Sequence, residues 1–134
     1  MLKDIPELHV NDIAVAVVQD TNENGVLEWN VYLLNFKKET IEGVLVTSKG
    51  YGLNEGADVK TSVLRHFLDT IPSTSYAKVE PIHENLFGLS NEYWVSFFLH
   101  GKMYDKKYVF LPETVSESFY ITVPLLNRKG VMIR

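Results

Sequence analysis

The segment Asp20–Gly25 is where oxygen-bearing side chains recur at metal-ligand spacing. It reads Asp-x-Asn-x-Asn-Gly, which matches the first half of a calcium-binding loop. The match then ends, because Val31 stands where the loop needs a bidentate acidic residue, and the flanking residues have strand patterns instead of helical ones. Asn-Gly is also a strong signal for a tight hairpin turn. We therefore predict a solvated turn here and no metal site.

The four histidines, at positions 9, 66, 83 and 100, never lie two or four residues apart, so the sequence holds no zinc signature. His83 is followed by Glu84 and Asn85, which could supply a base and its orienting partner. A serine nucleophile such as Ser90 would be needed beside them, but no serine lies in a Gly-x-Ser-x-Gly turn. We predict no catalytic triad.

Glutamates at positions 80, 84 and 92 raise the question of a carboxylate pair like that of a glycosidase. Such a pair needs a deep cleft, and 134 residues leave little chain to build one. We predict that these glutamates lie at solvated strand ends and that the protein uses no cofactor. The alternative is a small enzyme or ligand-binding domain in which His66 or His83 works beside a nearby carboxylate.

Composition predicts one globular domain spanning residues 1–134. The chain is 46% hydrophobic and 22% charged, which is ordinary for a folded protein. It has no cysteine, which removes disulfides and thiolate metal sites and favours a reducing compartment. Since no apolar run has the length of a signal peptide or a membrane span, we expect a soluble cytoplasmic protein without membrane association.

The charge balance argues against nucleic acid as a partner. Thirteen basic and 17 acidic residues give a net charge of −4, whereas a nucleic-acid binder needs a basic face to displace counterions. The adjacent basic pairs are short: Lys37-Lys38, Lys106-Lys107 and Arg128-Lys129.

Alternating apolar residues separated by polar, Gly- and Asn-rich breaks predict a mainly β protein. Residues 13–19 are apolar on both faces, as in a central strand, and residues 27–36 alternate, so the two predict a hairpin. Residues 92–100 predict a strand with Tyr93, Val95, Phe97 and Leu99 on one face and Trp94 and Phe98 on the other. We expect Trp29 and Trp94 to be buried on central strands. The spacing of seven or eight such strands predicts a two-layer immunoglobulin-like β-sandwich.

Residues 61–71 depart from this pattern. Val63, Leu64, Phe67, Leu68 and Ile71 fall at helical spacing, and Pro72 would end a helix there. The β-prone Val59 just before the segment leaves a strand as the alternative. If the segment is helical, Arg65 and His66 lie on its exposed face and form a candidate contact surface.

Two tyrosines are further candidates for protein contact. Tyr51 lies between glycines in the stretch 50–56, which predicts a flexible loop, and Tyr104 follows a tight turn. Exposed tyrosines are enriched at protein interfaces. The predicted binding residues are therefore Tyr51, Arg65, His66 and Tyr104.

Three stretches, Glu39–Gly52, Thr61–His66 and Leu125–Ile133, resemble a small bacterial family of uncharacterised proteins. Some members of that family carry the label phenylalanyl-tRNA synthetase alpha subunit. A synthetase catalytic domain is far longer than this chain, and the sequence holds no Arg-bearing class-defining motif set for ATP. We interpret the label as transferred in error, so the resemblance implies no activity. The sequence predicts a non-enzymatic module for protein–protein contact or self-association.

Overall fold

The computed structural model describes residues 8–134, which form ten β-strands and two short 3-10 helices. The strands are β1 (Ile13–Thr21), β2 (Leu27–Asn35), β3 (Ile41–Asn54), β4 (Ala57–Lys60), β5 (Leu64–Ile71), β6 (Ser75–Pro81), β7 (Ser90–Leu99), β8 (Lys102–Phe110), β9 (Ile121–Val123) and β10 (Arg128–Ile133). The 3-10 helices are Glu84–Leu86 and Glu117–Phe119. No helix within residues 8–134 is long and apolar enough to cross a membrane.

The strands form two antiparallel sheets of five strands each. Sheet A has the order β6-β2-β1-β10-β9. Sheet B has the order β4-β3-β7-β8, and β5 also pairs with β3. Because β3 is 14 residues long, β5 pairs with residues 41–48 and β4 with residues 51–54 along the same edge.

The two sheets face each other across one hydrophobic core. Sheet A contributes Ile13, Val15 and Val17 of β1, and sheet B contributes Val44 and Val46 of β3, all at most 1% exposed. The prediction of a mainly β protein is confirmed. The expected seven or eight strands become ten, because the four-residue strand β4 is too short to show a period and the segments 64–71 and 128–133 are also strands.

The hairpin of β1 and β2 is as predicted. The register runs from Ile13 opposite Asn35 to Thr21 opposite Leu27, and β1 also pairs with β10, so it is a central strand. A strand with neighbours on both sides and packed layers on both faces can be apolar throughout. The alternate residues Ala14, Ala16 and Val18 are accordingly also fully buried, on the outer side of sheet A.

The prediction of a helix at 61–71 is wrong, because residues 64–71 form β5 on the edge of sheet B. The helical spacing arises from a β-bulge. His66 and Leu68 point towards sheet A, then Asp69 takes a φ of 60°, and the register against β3 shifts. The bulge returns Ile71 to the core only three residues after Leu68, which mimics the period of a helix.

The prediction of a flexible loop around Tyr51 is also wrong. β3 continues through Gly50, Tyr51 and Gly52, and the turn into β4 comes at residues 55–56. The glycine at position 50 allows the side chain of Thr61 to approach the backbone closely. A Cβ added there would lie 3.0 Å from Cγ2 of Thr61, whose hydroxyl accepts a hydrogen bond from the Gly50 amide at 2.7 Å.

The outer side of sheet A carries a second, smaller core. Alanines at positions 14 and 16 are small enough for other side chains to pack directly on β1. The covering residues come mostly from the β9–β10 hairpin and from β2. They are Tyr32, Leu34, Phe36, Val123, Leu125, Leu126 and Met132. The chain's own side chains therefore cover both sides of the central strand β1.

Candidate functional site

Within residues 8–134, the outer side of sheet A exposes large apolar side chains on its edge strands, Tyr76 of β6 and Ile121 of β9, whereas the outer side of sheet B exposes them on the central strand β7 as well. Phe67 of β5 is 67% exposed, and Met103 of β8 is 55% exposed. Between them, Trp94 and Phe98 of β7 are 46% and 45% exposed. We call these four residues, together with the half-buried Leu45 of β3, the sheet B patch.

The strand register places these residues side by side. Leu45 lies opposite Phe67 on one neighbouring strand and opposite Ser96 on the other. Ser96 lies between Trp94 and Phe98 on β7, and Phe98 lies opposite Met103 on β8. With neighbouring strands about 4.8 Å apart, the patch spans four strands and about 14 Å across the sheet.

Charged residues lie beside this apolar surface. Arg65 and Trp94 lie on the two sides of Thr47, and Trp94 lies opposite Lys107. The ammonium of Lys107 is 5.8 Å from the centre of the Trp94 ring, which is within the range of a cation–π contact. Asp105 is the next outward residue on β8. An apolar centre with a charged rim is typical of protein–protein interfaces.

The prediction that both tryptophans are buried holds for Trp29, which is 6% exposed, but is wrong for Trp94. The predicted division of β7 into two faces is confirmed: Tyr93, Val95 and Phe97 face the core. The other face carries Trp94 and Phe98, and no element packs on it within residues 8–134. Alternation identifies the two faces of a strand, but it does not identify which face another layer covers.

Of the four predicted binding residues, Tyr51 and Arg65 lie on the outer side of sheet B. Tyr51 is partly exposed, as predicted. Its hydroxyl donates to Oε1 of Glu92 at 3.3 Å, and the Lys49 ammonium lies 3.7 Å from Oε2 of the same carboxylate. Burial and the neighbouring Glu92 charge raise the pKa of Tyr51. These contacts hold the ring at the margin of the face, and Arg65 is exposed nearer the patch.

His66 and Tyr104 lie on the opposite side of sheet B, facing sheet A, so the four residues do not form one site. Tyr104 stacks on Phe97, with ring centres 5.4 Å apart and planes 8° from parallel. It packs against the main core and is half-buried. Its position indicates a packing role at the edge of the sandwich.

His66 takes part in a polar contact between the two sheets. Its Nε2 lies 2.7 Å from Oε1 of Glu80, which belongs to β6 of sheet A. The buried Ser48 of β3 donates its hydroxyl to the same oxygen at 2.6 Å. The carboxylate therefore lies between the hydroxyl and the imidazole. A serine nucleophile needs the imidazole as its direct partner, so this arrangement is not a Ser-His-acid triad.

His83 lies in a different part of the molecule, next to a cavity of about 710 Å³. Its Nδ1 accepts a hydrogen bond from the amide of Asn85 at 3.1 Å, which caps the 3-10 helix Glu84–Leu86. Glu84 accepts from Nε1 of Trp29 at 3.3 Å. His100 contacts Glu39 at another surface. Residues 8–134 contain no group of three or more His, Cys, Asp or Glu side chains that could hold a metal ion.

Within the calcium-like motif, the side chain of Asn22 stabilises the hairpin turn. Oδ1 of Asn22 accepts from the amides of Asn24 at 2.9 Å and Val26 at 3.0 Å. Its Nδ2 donates to Glu28. Asp20 points to the outer side of sheet A, where it binds other residues. The motif residues therefore do not converge on one point.

The cluster around Asp20 is the polar site that sequence reasoning missed. Its Oδ2 accepts from Asn30 and from the hydroxyl of Tyr32, both at 2.7 Å, and its Oδ1 accepts from Arg128 at 2.6 Å. Burial alone would raise the pKa of Asp20, but these hydrogen bonds and the Arg128 charge lower it below its ordinary value of 3.8. The cluster joins β1, β2 and β10. Arg128 is 108 residues from Asp20, so no local pattern connects them.

The comparisons with known proteins identify no relative: no family model, no curated protein and no solved structure matches the chain. The resemblance to the bacterial family therefore stays a prediction.

Proposed function

We propose that this protein is a non-enzymatic interaction module and that the sheet B patch is its contact surface. Trp94 lies at the end of the patch that borders the charged rim, and tryptophan is enriched among the residues that dominate binding energy. The charged neighbours Arg65 and Lys107 provide a rim that favours one orientation of a partner.

The observation that carries the proposal is the contrast between the two sheets. The outer side of sheet A is packed by small alanines and covered by the β9–β10 hairpin. The outer side of sheet B exposes two aromatic rings of β7, one of β5 and the thioether of Met103. Clustered exposed apolar side chains mark interaction sites in soluble proteins, whereas single ones are ordinary.

The test is a comparison of proteins captured from the native host and identified by mass spectrometry. Trp94→Glu places a negative charge within the patch and should abolish capture of the specific partners. Phe119→Glu is the matched control, because Phe119 is 58% exposed and lies outside the patch. Capture that survives Trp94→Glu, or that is lost equally in both variants, would contradict the proposed surface.

A second candidate is a small enzyme that uses His66 as a base. The contact of 2.7 Å between His66 and Glu80 favours it, since a carboxylate can orient an imidazole. The buried Ser48 on the same carboxylate oxygen indicates a structural contact between the sheets instead. A screen of chromogenic ester, phosphate and glycoside substrates decides the matter. Turnover that disappears in His66→Ala would establish the enzyme.

We also propose that the architecture is immunoglobulin-like and that the protein is cytoplasmic. In the immunoglobulin fold the first, second and fifth strands share one sheet, and the third, sixth and seventh share the other. The grouping of β1, β2 and β6 in sheet A and of β3, β7 and β8 in sheet B supports this proposal. β9 and β10 extend sheet A beyond β1. The lack of cysteine supports a reducing compartment.

A further inference from the structure

We propose that the protein forms a two-fold symmetric dimer in which β8 pairs antiparallel with β8 of a second copy, with Lys106 at the symmetry axis. This inference rests on the proposed contact function and deepens it, because it names a second copy of the chain as a partner and an edge strand as the means of contact.

Among the strands of residues 8–134, β8 is an edge strand that pairs on one side only. It pairs with β7 through nine consecutive residue pairs and is the last strand of sheet B. Residues 8–10 line a cavity beside its first half, and the backbone hydrogen bonds between described residues include none from Leu8 or Val10 to β8. About half of the amides and carbonyls of an edge strand point away from the sheet, where they are available to another strand.

The sequence of β8 is complementary to itself about Lys106. In an antiparallel pair centred there, Met103 lies opposite Val109 of the second copy, and Asp105 lies opposite its Lys107. Symmetry repeats each pair. All four residues lie on the outer side of sheet B, since Met103, Lys107 and Val109 are paired with Phe98, Trp94 and Glu92. Directly opposed unlike charges and apolar pairs both stabilise antiparallel strands.

The inner side of the strand agrees with the same register. Tyr104 of one copy lies opposite Tyr108 of the other, so the opposed inward residues on both sides of the axis are aromatic. Lys106 meets its own copy, and this like-charge pair opposes association. Its ammonium, however, lies 5.0 Å from the centre of its own Tyr108 ring, which draws the charge along the strand and away from the axis.

Neighbouring registers are less favourable. A strand joining the sheet must keep inward residues inward, so the register can change only in steps that preserve this alternation. Centring the pair on Asp105 places two aspartates opposite each other and Lys107 opposite Met103. Centring it on Lys107 places two lysines opposite each other and Asp105 opposite Val109. Only the pairing about Lys106 gives two opposite-charge pairs.

The lysines of β8 thereby favour pairing with a second β8 over pairing with other strands. Lysine on an edge strand deters unspecific pairing with other strands, because it introduces an uncompensated charge. Here Lys107 is compensated when the incoming strand carries an aspartate at the matching position, and β8 itself carries one. The dimer would join the two B sheets into one, with the patches of both copies on the same surface.

Sedimentation equilibrium over a wide concentration range tests the dimer. The wild-type mass should rise from the 15.3 kDa of one chain towards twice that value. Asp105→Lys converts both attractive pairs into repulsive ones and should weaken the dimer roughly tenfold or more. Exchanging the charges in the double variant Asp105→Lys with Lys107→Asp restores opposite pairs and should restore the dimer. A wild-type monomer at all concentrations, or no rescue by the exchange, would overturn the proposal.

A cross-linking experiment tests the register directly, and the absence of cysteine from the chain makes it unambiguous. Lys106→Cys places two thiols opposite each other at the axis, where cross-strand Cβ atoms are about 5 Å apart. Lys102→Cys is the matched control on the same strand, because its thiols would lie about 27 Å apart at about 3.4 Å per residue. Under mild oxidation Lys106→Cys should form a covalent dimer. Equal or faster cross-linking of Lys102→Cys would refute the register.

The outcomes separate this inference from the proposed function. If Trp94→Glu abolishes partner capture while Lys106→Cys does not cross-link, the patch stands and the edge dimer is wrong. If Lys106→Cys cross-links and the charge exchange rescues the dimer while Trp94→Glu changes no partner, the edge dimer stands and the patch is wrong.

Discussion

Truncation of Trp29 to alanine should destabilise the protein by about 3–5 kcal/mol, the usual range for a large aromatic side chain removed from a packed core. The side chain is 6% exposed and lies between the two sheets. Its ring meets Phe87 edge-on, with centres 5.2 Å apart, and lies 5.6 Å from the ring of Tyr120. Trp29 therefore anchors two segments outside the regular strands.

The magnitude follows from the area that is removed. Losing about 200 Å² of buried surface at about 25 cal/mol per Å² corresponds to about 5 kcal/mol. This is an upper value, since the unfolded chain already buries part of that surface. Glu84 also loses the indole N–H that donates to it at 3.3 Å. We expect about 4 kcal/mol.

Trp94→Ala is the matched comparison, because it removes the same kind of side chain from the outer side of sheet B. Trp94 is 46% exposed, so about half as much buried surface is lost. The contact with Lys107 is on the surface and adds little. The expected loss is about 1–2 kcal/mol, which is at least about 2 kcal/mol less than for Trp29.

Urea denaturation followed by circular dichroism gives both free energies of unfolding without relying on tryptophan fluorescence. Acrylamide quenching of the two single-tryptophan proteins, Trp29→Phe and Trp94→Phe, provides an independent measure of exposure. The remaining Trp94 should be readily quenched and the remaining Trp29 protected. A loss below roughly 1 kcal/mol for Trp29→Ala, or a larger loss for Trp94→Ala than for Trp29→Ala, would refute the assignment of the two faces.

Three further predictions concern other parts of the structure. Asp20→Asn should destabilise the protein by about 1–3 kcal/mol at neutral pH. Because the pKa of Asp20 is lowered in the folded state, the ionised carboxylate contributes its full stability above the ordinary value of 3.8. Urea titrations should therefore show the difference in stability from wild type disappearing as the pH falls through the folded-state pKa. Gly130→Ala should cost about 3 kcal/mol or more, since its Cβ would lie 2.2 Å from the carbonyl oxygen of Val17, whereas Gly88→Ala, where the nearest atom is a side-chain oxygen at 3.3 Å, should melt close to wild type. Tyr51→Ala should lower the melting temperature by only a few degrees and weaken association, and a drop of many degrees with association unchanged would show that the ring serves the core.

The strands with strict alternation were predictable from the sequence because their faces follow directly from a period of two. The hairpin of β1 and β2 had both signals that a local argument needs: two apolar runs of matching length and an Asn-Gly turn between them. The two faces of β7 were equally evident. For these elements, local conformation and tertiary packing favour the same structure.

The segment 61–71 shows where a local argument fails. Its apolar spacing fits a helix, but the residues are held in a strand by pairing with β3, which begins 23 residues earlier in the chain. The bulge at Asp69 produces the misleading period. A short apolar run can satisfy either pattern, and only the neighbouring strand decides between them.

The polar contacts could not be predicted from the sequence, for a similar reason. His66 was among the predicted binding residues, but its partner Glu80 belongs to the other sheet. Asp20 was assigned to a turn, whereas its carboxylate binds Arg128 of the last strand. Such pairs depend on how distant strands are placed relative to one another, and residue types alone do not encode that placement.

Trp94 shows the same difference between local pattern and tertiary packing at the candidate site. Trp94 and Phe98 share a face of β7 because side chains alternate along any extended strand, and the residue order is enough to predict this. The exposure of that face, in contrast to the covered central strand of sheet A, depends on tertiary packing. The reason is physical: burial depends on whether another part of the chain packs on the face, and within residues 8–134 the β9–β10 hairpin covers sheet A while no element covers sheet B.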